Sequence, residues 1–465
     1  MADPHVLELE GAQFRAVIDE VARRLADHLD HVAEQPVAIA TERAAEVARE
    51  LAGAALPEAG APLAAVLDQL FDRVFPSPYH TGSPGFFGYF AGGGLPEAAI
   101  ADLIAGVINR FVGRWSAAPA VTQLEANVVR WLAELIGFPA AARGVITSGG
   151  SLANLTAVFT ARQRQLGFDL VGARIYASDQ IHFSIPKAAT ICGLPPASVC
   201  RIASDGDGRI DVAALAAQVA ADRARGLRPF LVVASAGTFL TGAVDDLAAV
   251  AEVARREHLW FHVDAAYGGF FQLTARGRAL LRGIEHADSV TLDPHKGLFL
   301  PYGTGALLVR QGDVLKRAHE IDADFYGPLH DDADRIDFCS YSIEQSRPFR
   351  GLRVWLPLAL HGIAPFRHNL DEKLDLAAFA GAALAEIPGL AVIAAPILTV
   401  LLFTAGDDAR NQRLVERVNA RGHAFLMTVQ HHEAIVVRMC ILSFRAHRDR
   451  VEVALADIRA VAAEL

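Results

Sequence analysis

Cysteine is scarce: the 465 residues hold four, at positions 192, 200, 339 and 440, with no CxxC pair and no ligand spacing. That excludes a disulfide framework and a zinc knuckle, suggests no metal, and fits a reducing cytoplasm. No basic cluster stands out either, and 43 basic against 53 acidic residues leave a net charge of −10. Nucleic acid and anionic membrane are therefore poor partners, because each needs a local positive field. Long apolar runs are missing as well. The most lipid-like stretch, Leu390 to Ala405, contains Pro396 and Thr399 and falls short of the ~20 residues that span a bilayer. It reads as two β-strands with a break between them. The opening MADPHVLELE has neither a basic start nor an apolar core, so no signal or transit segment is expected there.

What is present is apolar mass. A content of 52% hydrophobic against 21% charged residues is enough to bury a core over two or three domains and excludes a disordered tail or a collagen-like fibre. Residues 10 to about 136 read mostly as helices: Phe14, Val17, Ile18, Val21 and Leu25 recur at helical steps, as do Leu63, Val66, Leu67, Leu70 and Phe71. An N-terminal helical arm over 1–80 is expected. A loop with Pro76, Pro78, Gly82, Pro84 and Gly85 leads to the aromatic run Phe86, Phe87, Tyr89, Phe90, whose rings either line a pocket or fill core.

From Gly144 the rhythm changes to short β-rich runs separated by helical ones: GVIT, RIYAS, FLVVAS, WFHVDAA, SVTLD and GALLV. Such alternation predicts an α/β domain over 81–312, with a mostly parallel sheet covered by helices on both faces. Ligands of such sheets sit beyond the carboxyl ends of the strands. From Asp313 onward a loop, further helices and strands near 392–404 and 434–442 suggest a smaller α+β domain over 313–465.

Chemistry-bearing residues fall at those strand ends. After GVIT comes Ser148-Gly149-Gly150-Ser151 and then a helix-forming run with Asn154. Glycines let backbone approach an anion, and the helix start offers free N–H groups, although a plain helix cap reads the same way. Asp264 ends WFHVD, where a carboxylate persists if a cation such as a protonated ring nitrogen faces it, and where it serves equally as a turn cap. Lys296 closes SVTLDPHK and is placed to attack a carbonyl as a Schiff-base lysine, or to sit on an exposed turn. A phosphate cradle, a carboxylate and an amine, in that order on a parallel sheet, suit pyridoxal 5'-phosphate at its three ends.

The chain resembles the pyridoxal-phosphate-dependent group II amino-acid decarboxylases, which include aromatic-L-amino-acid, tyrosine, glutamate and histidine decarboxylases, in the aspartate-aminotransferase-like fold. The resemblance rests on WSAAPAVTQLE, TSGGSLANL, SDQIHFS, SAGTFLTGAVDD, HVDAAYGG, ADSVTLDPHK and RPFRGLRVW, in that order between His80 and Trp355. It implies that Lys296 carries the cofactor, that Asp264 faces its pyridine nitrogen, and that Gly150 and Ser151 hold the phosphate with His295 nearby. It further implies that His182 and Ala266 cover opposite faces of the ring and that Thr238 supports it near Asp264. Tyr326, in DADFYGPLHDD, takes the place of the loop tyrosine that returns a proton to Cα, with Phe325 beside it as a rival for that position. A phenylalanine there is associated with aldehyde synthases in this family.

Two departures bear on the substrate: Gly297 follows the lysine where many members have tryptophan, and Leu152 stands where an acidic residue is frequent. Phe86, Phe87 and Trp115 are candidates to receive an aromatic or bulky side chain, and Arg114 either meets its carboxylate or simply lies on the surface. The resemblance implies a homodimer with its active site at the interface, acting on a small amino acid. Aldehyde synthesis, C–C lysis of the same cofactor type, and a silent scaffold are the competing readings.

Overall fold

A computed structural model describes residues 7–76, 78–320 and 335–465. Seven strands form the central sheet: β1 (Arg143–Thr147), β2 (Ala173–Ser178), β3 (Val199–Ile202), β4 (Arg228–Ser235), β5 (Trp260–Asp264), β6 (Ser289–Leu292) and β7 (Gly305–Val309). Their spatial order is β1-β7-β6-β5-β4-β2-β3, and β7 runs antiparallel to both its neighbours while the other pairings are parallel. The interior strands are mostly apolar and buried, β4 from Pro229 onward and β7 along its whole length, as the runs FLVVAS and GALLV require when helices cover both faces. In β5 the register sets Asp264 beside Ser235 of β4 and Thr291 of β6, at the carboxyl edge.

The antiparallel sheet β10-β11-β9-β8 forms a second layer, from β8 (Ala391–Ile397), β9 (Val400–Thr404), β10 (Met427–His431) and β11 (Ala434–Cys440). Leu401, Phe403, Val437 and Met439 of this sheet pack with Leu414, Leu455 and Ile458 as a separate core. The two strands expected in 390–405 are therefore present, whereas β3 and β10 carry no sequence signal strong enough to announce them. The loop expected from Asp313 is instead the helix Gly312–His319, whose Val314 and Leu315 join the core of the large sheet.

Helices Gly11–His31 and Thr41–Ala52 bury no residue, so the apolar stripe of the first, with Phe14, Leu25 and Leu29, lies open on this chain. The helix Pro96–Ile108 also exposes Ile100, Leu103, Ile104, Val107 and Ile108. Among the described residues no helix is long and apolar enough to cross a membrane.

One buried ion pair joins three elements that are far apart in sequence. Arg347 Nη1 lies 2.5 Å from Glu125 Oε1 with both side chains fully buried, Arg347 Nη2 donates to the Ile146 carbonyl of β1, and the Gly351 amide donates to Glu125 Oε2. Removing one partner strands the other charge. Glu125→Ala is expected to lower the unfolding free energy by about 3–5 kcal/mol, measured by urea denaturation; an unchanged midpoint would show that the pair is not structural.

Candidate active site

A cavity of about 400 Å³ opens beyond the carboxyl ends of the large sheet, and its wall includes Gly150, Ser151, His182, Thr238, Asp264 and Ala266, together with His295 and Lys296. Every residue singled out for the cofactor thus faces one space. The helix Gly150–Gln165 begins there, and its first N–H groups have no partner within the helix. A Cβ on Gly150 would stand 2.9 Å from Asp293 Oδ2 and 3.3 Å from Ala266 Cβ, so glycine keeps this end of the cavity open.

The chain has four lysines, at 187, 296, 316 and 373. Lys187 is exposed on the helix Ser184–Ile191, Lys316 pairs with Glu320, and Lys373 is buried against Glu372 and the Ala446 carbonyl. Lys296 is the one that lines the cavity. Its ammonium lies 2.9 Å from Asp293 Oδ2 and 5.7 Å from the centre of the Phe90 ring. Asp293 is almost fully buried, and its Oδ1 has no hydrogen-bond partner among the described residues. A buried carboxylate with a lone pair to spare marks a place for a further donor.

Asp264 accepts from Asn154 Nδ2 at 2.8 Å and from the Ala266 amide at 3.2 Å. Asn154 follows Gly150 by four residues and so lies on the same side of its helix, toward the sheet. His182 Nδ1 meets Ser184 Oγ at 2.8 Å, and burial pushes the His182 pKa down, so the ring is neutral near pH 7. His295 Nδ1 donates to the Thr304 carbonyl, which leaves Nε2 without a proton in the neutral ring. Thr238 Oγ1 accepts from the Ala243 amide. The residues fit pyridoxal phosphate: an open helix start for a phosphate, a buried carboxylate for a ring nitrogen, an imidazole and a methyl group for its faces, and one amine.

The three substrate candidates do not line the cavity of this chain. Phe86 stacks on Phe425 with centroids 5.0 Å apart, and Phe87 sits in the core of the small sheet. Neither lines the cavity, because this segment pairs with the C-terminal part: the Phe87 amide donates to the Phe425 carbonyl and its carbonyl accepts from Cys440. Trp115 is also absent from the wall; its amide is held by Asp337 Oδ1 and the Arg335 guanidinium lies over its ring. The aromatic residues in the wall are Tyr89, Phe90, Phe239, Tyr267, Tyr302 and Phe183. Gly297 has a local cause, since a Cβ there would lie 2.5 Å from Phe270 Cβ. Tyr326 and Phe325 lie outside the described residues.

A family model, the pyridoxal-dependent decarboxylase conserved domain, matches residues 46–405. The chain belongs to the pyridoxal-dependent decarboxylase family. An aromatic-L-amino-acid decarboxylase of Bacillus atrophaeus is 34% identical over 99% of this chain and 97% of the relative. Among solved structures, Oryza sativa TDC with PLP and tryptamine superposes with a TM-score of 0.91 at 27% identity, over 98% of this chain and 99% of that one. Rhodiola rosea 4-hydroxyphenylacetaldehyde synthase reaches a TM-score of 0.90 at 22% identity, over 98% and 99%, which speaks for the fold alone. As a member of this family the chain is a PLP-dependent carboxy-lyase.

Sequence reading passed over Asn154, Asp293 and His262 as site residues. His262, fully buried behind Asp264, contacts Asn154 Oδ1 through Nε2 and Ser289 Oγ through Nδ1. Burial pushes its pKa down to about 4. The unfolded chain therefore binds a proton between pH 4 and 6.5 that the folded chain refuses, and stability falls as pH drops through that window. The shift corresponds to about 3 kcal/mol. Denaturation of the wild type and His262→Gln across this range is expected to show a shallower loss in the variant; identical slopes would contradict it.

Proposed function

We propose that this carboxy-lyase acts on aromatic L-amino acids and releases the amine and carbon dioxide. The observation that carries the reading is a cavity whose single lysine stands among aromatic rings, Tyr89, Phe90 and Phe239, with Asp264 and His182 in the same wall. The aromatic substrates of the relatives support it. Bound pyridoxal phosphate supplies an electron sink for the pair left when the carboxylate departs.

The chain's own residues do the rest. Lys296 would offer the amine that holds the cofactor. Asp264, fixed by Asn154, would keep a proton on the ring nitrogen electrostatically. His182 and Ala266 would hold the ring between them, Gly150 and Ser151 would receive the phosphate at the helix start, and Thr238 and His295 would close the sides. The rings of Phe90 and Phe239, 5.7 Å apart and edge to face, form an apolar wall that excludes water beside the substrate side chain. Tyr326 is the proposed donor of the proton to Cα, and Phe325 beside it keeps aldehyde synthesis as the second reading.

Purified holoenzyme supplied with L-tryptophan, L-tyrosine, L-phenylalanine, L-glutamate and L-histidine is expected to give carbon dioxide and amine in equal amounts from the aromatic substrates. Aldehyde with peroxide and ammonia, or turnover restricted to L-glutamate, would overturn the reading. In Tyr326→Phe, amine formation is expected to slow by about a hundredfold or more, the range of a general-acid contribution, and the aldehyde share to rise. An unaltered rate and product ratio would assign the proton transfer elsewhere.

The exposed apolar face of the helix Pro96–Ile108 supports a homodimer, because a contiguous patch of this kind marks an interface. Light scattering is expected to give twice the chain mass, and Leu103→Asp combined with Val107→Asp to give monomer without activity; a wild-type monomer with full activity would contradict this. Four free cysteines support a reducing compartment such as the cytoplasm.

A further inference from the structure

Behind the cavity lies a buried chain of polar groups whose donors and acceptors can be assigned one after another. The assignment starts at Asp264, whose carboxylate accepts only. Asn154 lies 2.8 Å from Asp264 Oδ2, so it must turn its NH2 toward that oxygen; the flipped amide would set oxygen against oxygen. Its second N–H then points to Ser184 Oγ at 2.9 Å. Its carbonyl oxygen faces Thr291 Oγ1 at 2.7 Å and His262 Nε2 at 3.1 Å, and must accept from both. All four hydrogen-bonding positions of the amide are used.

The consequences run outward in two directions. His262 Nε2 donates, so Nδ1 is bare and takes the hydroxyl proton of Ser289, whose oxygen accepts from Trp260 Nε1 at 2.8 Å. On the other side, Ser184 Oγ receives the Asn154 N–H and turns its own proton to His182 Nδ1 at 2.8 Å. The Ser184 backbone amide also points at that nitrogen. His182 Nδ1 is therefore an acceptor, and the ring proton resides on Nε2.

We propose that Asn154 is the positioning residue that couples Asp264 to His182: one amide holds the carboxylate by one N–H and, through Ser184, fixes the histidine as its Nε2–H tautomer by the other. This rests on the reading that the cavity holds pyridoxal phosphate between those two groups, and it adds that they are set jointly rather than by separate supports. His262 and Thr291 keep the amide from flipping, because each offers its oxygen a proton. Burial, which disfavours the imidazolium of both histidines, favours the same neutral assignment.

The test reads the tautomer in the cofactor-free protein and cofactor affinity separately. Imidazole ¹⁵N spectra of the full chain, with the His182 signals identified by comparison with His182→Gln, are expected to show the wild-type His182 as a single Nε2–H tautomer. In Ser184→Ala, which removes the hydroxyl contact at 2.8 Å and leaves only the longer backbone amide contact at 3.3 Å, the two ¹⁵N shifts are expected to move toward each other while the dissociation constant for pyridoxal phosphate rises less than threefold. In Asn154→Leu, which cuts both arms, the shifts are expected to converge and the dissociation constant to rise by tenfold or more. Should that variant fail to fold, Ser184→Ala still decides the tautomer claim. An Nδ1–H tautomer in the wild type, or an unchanged His182 signal in Ser184→Ala, would overturn the proposal. A wild type that binds no pyridoxal phosphate but keeps the Nε2–H signal would sink the reading of the cavity and with it the coupling role. Failure to release amine with both readouts as expected would count against the substrate reading alone.

Discussion

A carboxylate held at the end of a strand that is buried on both faces is the constraint around which this molecule is arranged. Asp264 is largely withdrawn from solvent there, and a buried charge needs donors and a cation to face it. The donors are built in: Asn154 and the Ala266 amide. On the proposed reading the cation is the protonated ring nitrogen of the cofactor. Asn154 in turn is satisfied only because His262 and Thr291, from the two strands β5 and β6, point at its oxygen. The parallel register that lays Asp264 beside Thr291 thus also determines where the helix Gly150–Gln165 can dock. Gly150, four residues before Asn154, is thereby brought to the same cavity with its helix start open.

The aromatic wall depends on a second buried charge. Arg438 of β11 is fully buried, lies 4.8 Å from the Phe90 ring and 4.6 Å from the Phe239 ring, and donates from Nε to the Phe239 carbonyl. The small sheet therefore supplies the support behind the aromatic wall of the cavity. Phe86 and Phe87, by joining that sheet, fix the segment that carries Tyr89 and Phe90 into the wall. The two layers meet at the site, one bringing charge and the other shape.

Much of this was legible because the chemistry sits at the ends of strongly apolar strands. Asp264 and Lys296 each close such a run, and the glycines before Asn154 open the helix after another, so strand ends alone gather them at one edge. The aromatic run was not legible in the same way. Which of Phe86, Phe87, Tyr89 and Phe90 faces the cavity is decided by pairing with Phe425 and Cys440, more than 300 residues later, and no local pattern carries that information. His262 lies on an apolar strand, where a histidine gives no sign that its partners are Ser289 and Asn154 rather than packing. Gly297 reads as a departure from the family until Phe270 is seen to occupy the space beside it.

The central claim is that one lysine, alone among four, carries the cofactor. Borohydride reduction of the holoenzyme followed by peptide mass spectrometry tests it most directly. The pyridoxyl group is predicted on Lys296. Its appearance on Lys187, Lys316 or Lys373, or on no lysine of a protein saturated with pyridoxal phosphate, would contradict the account.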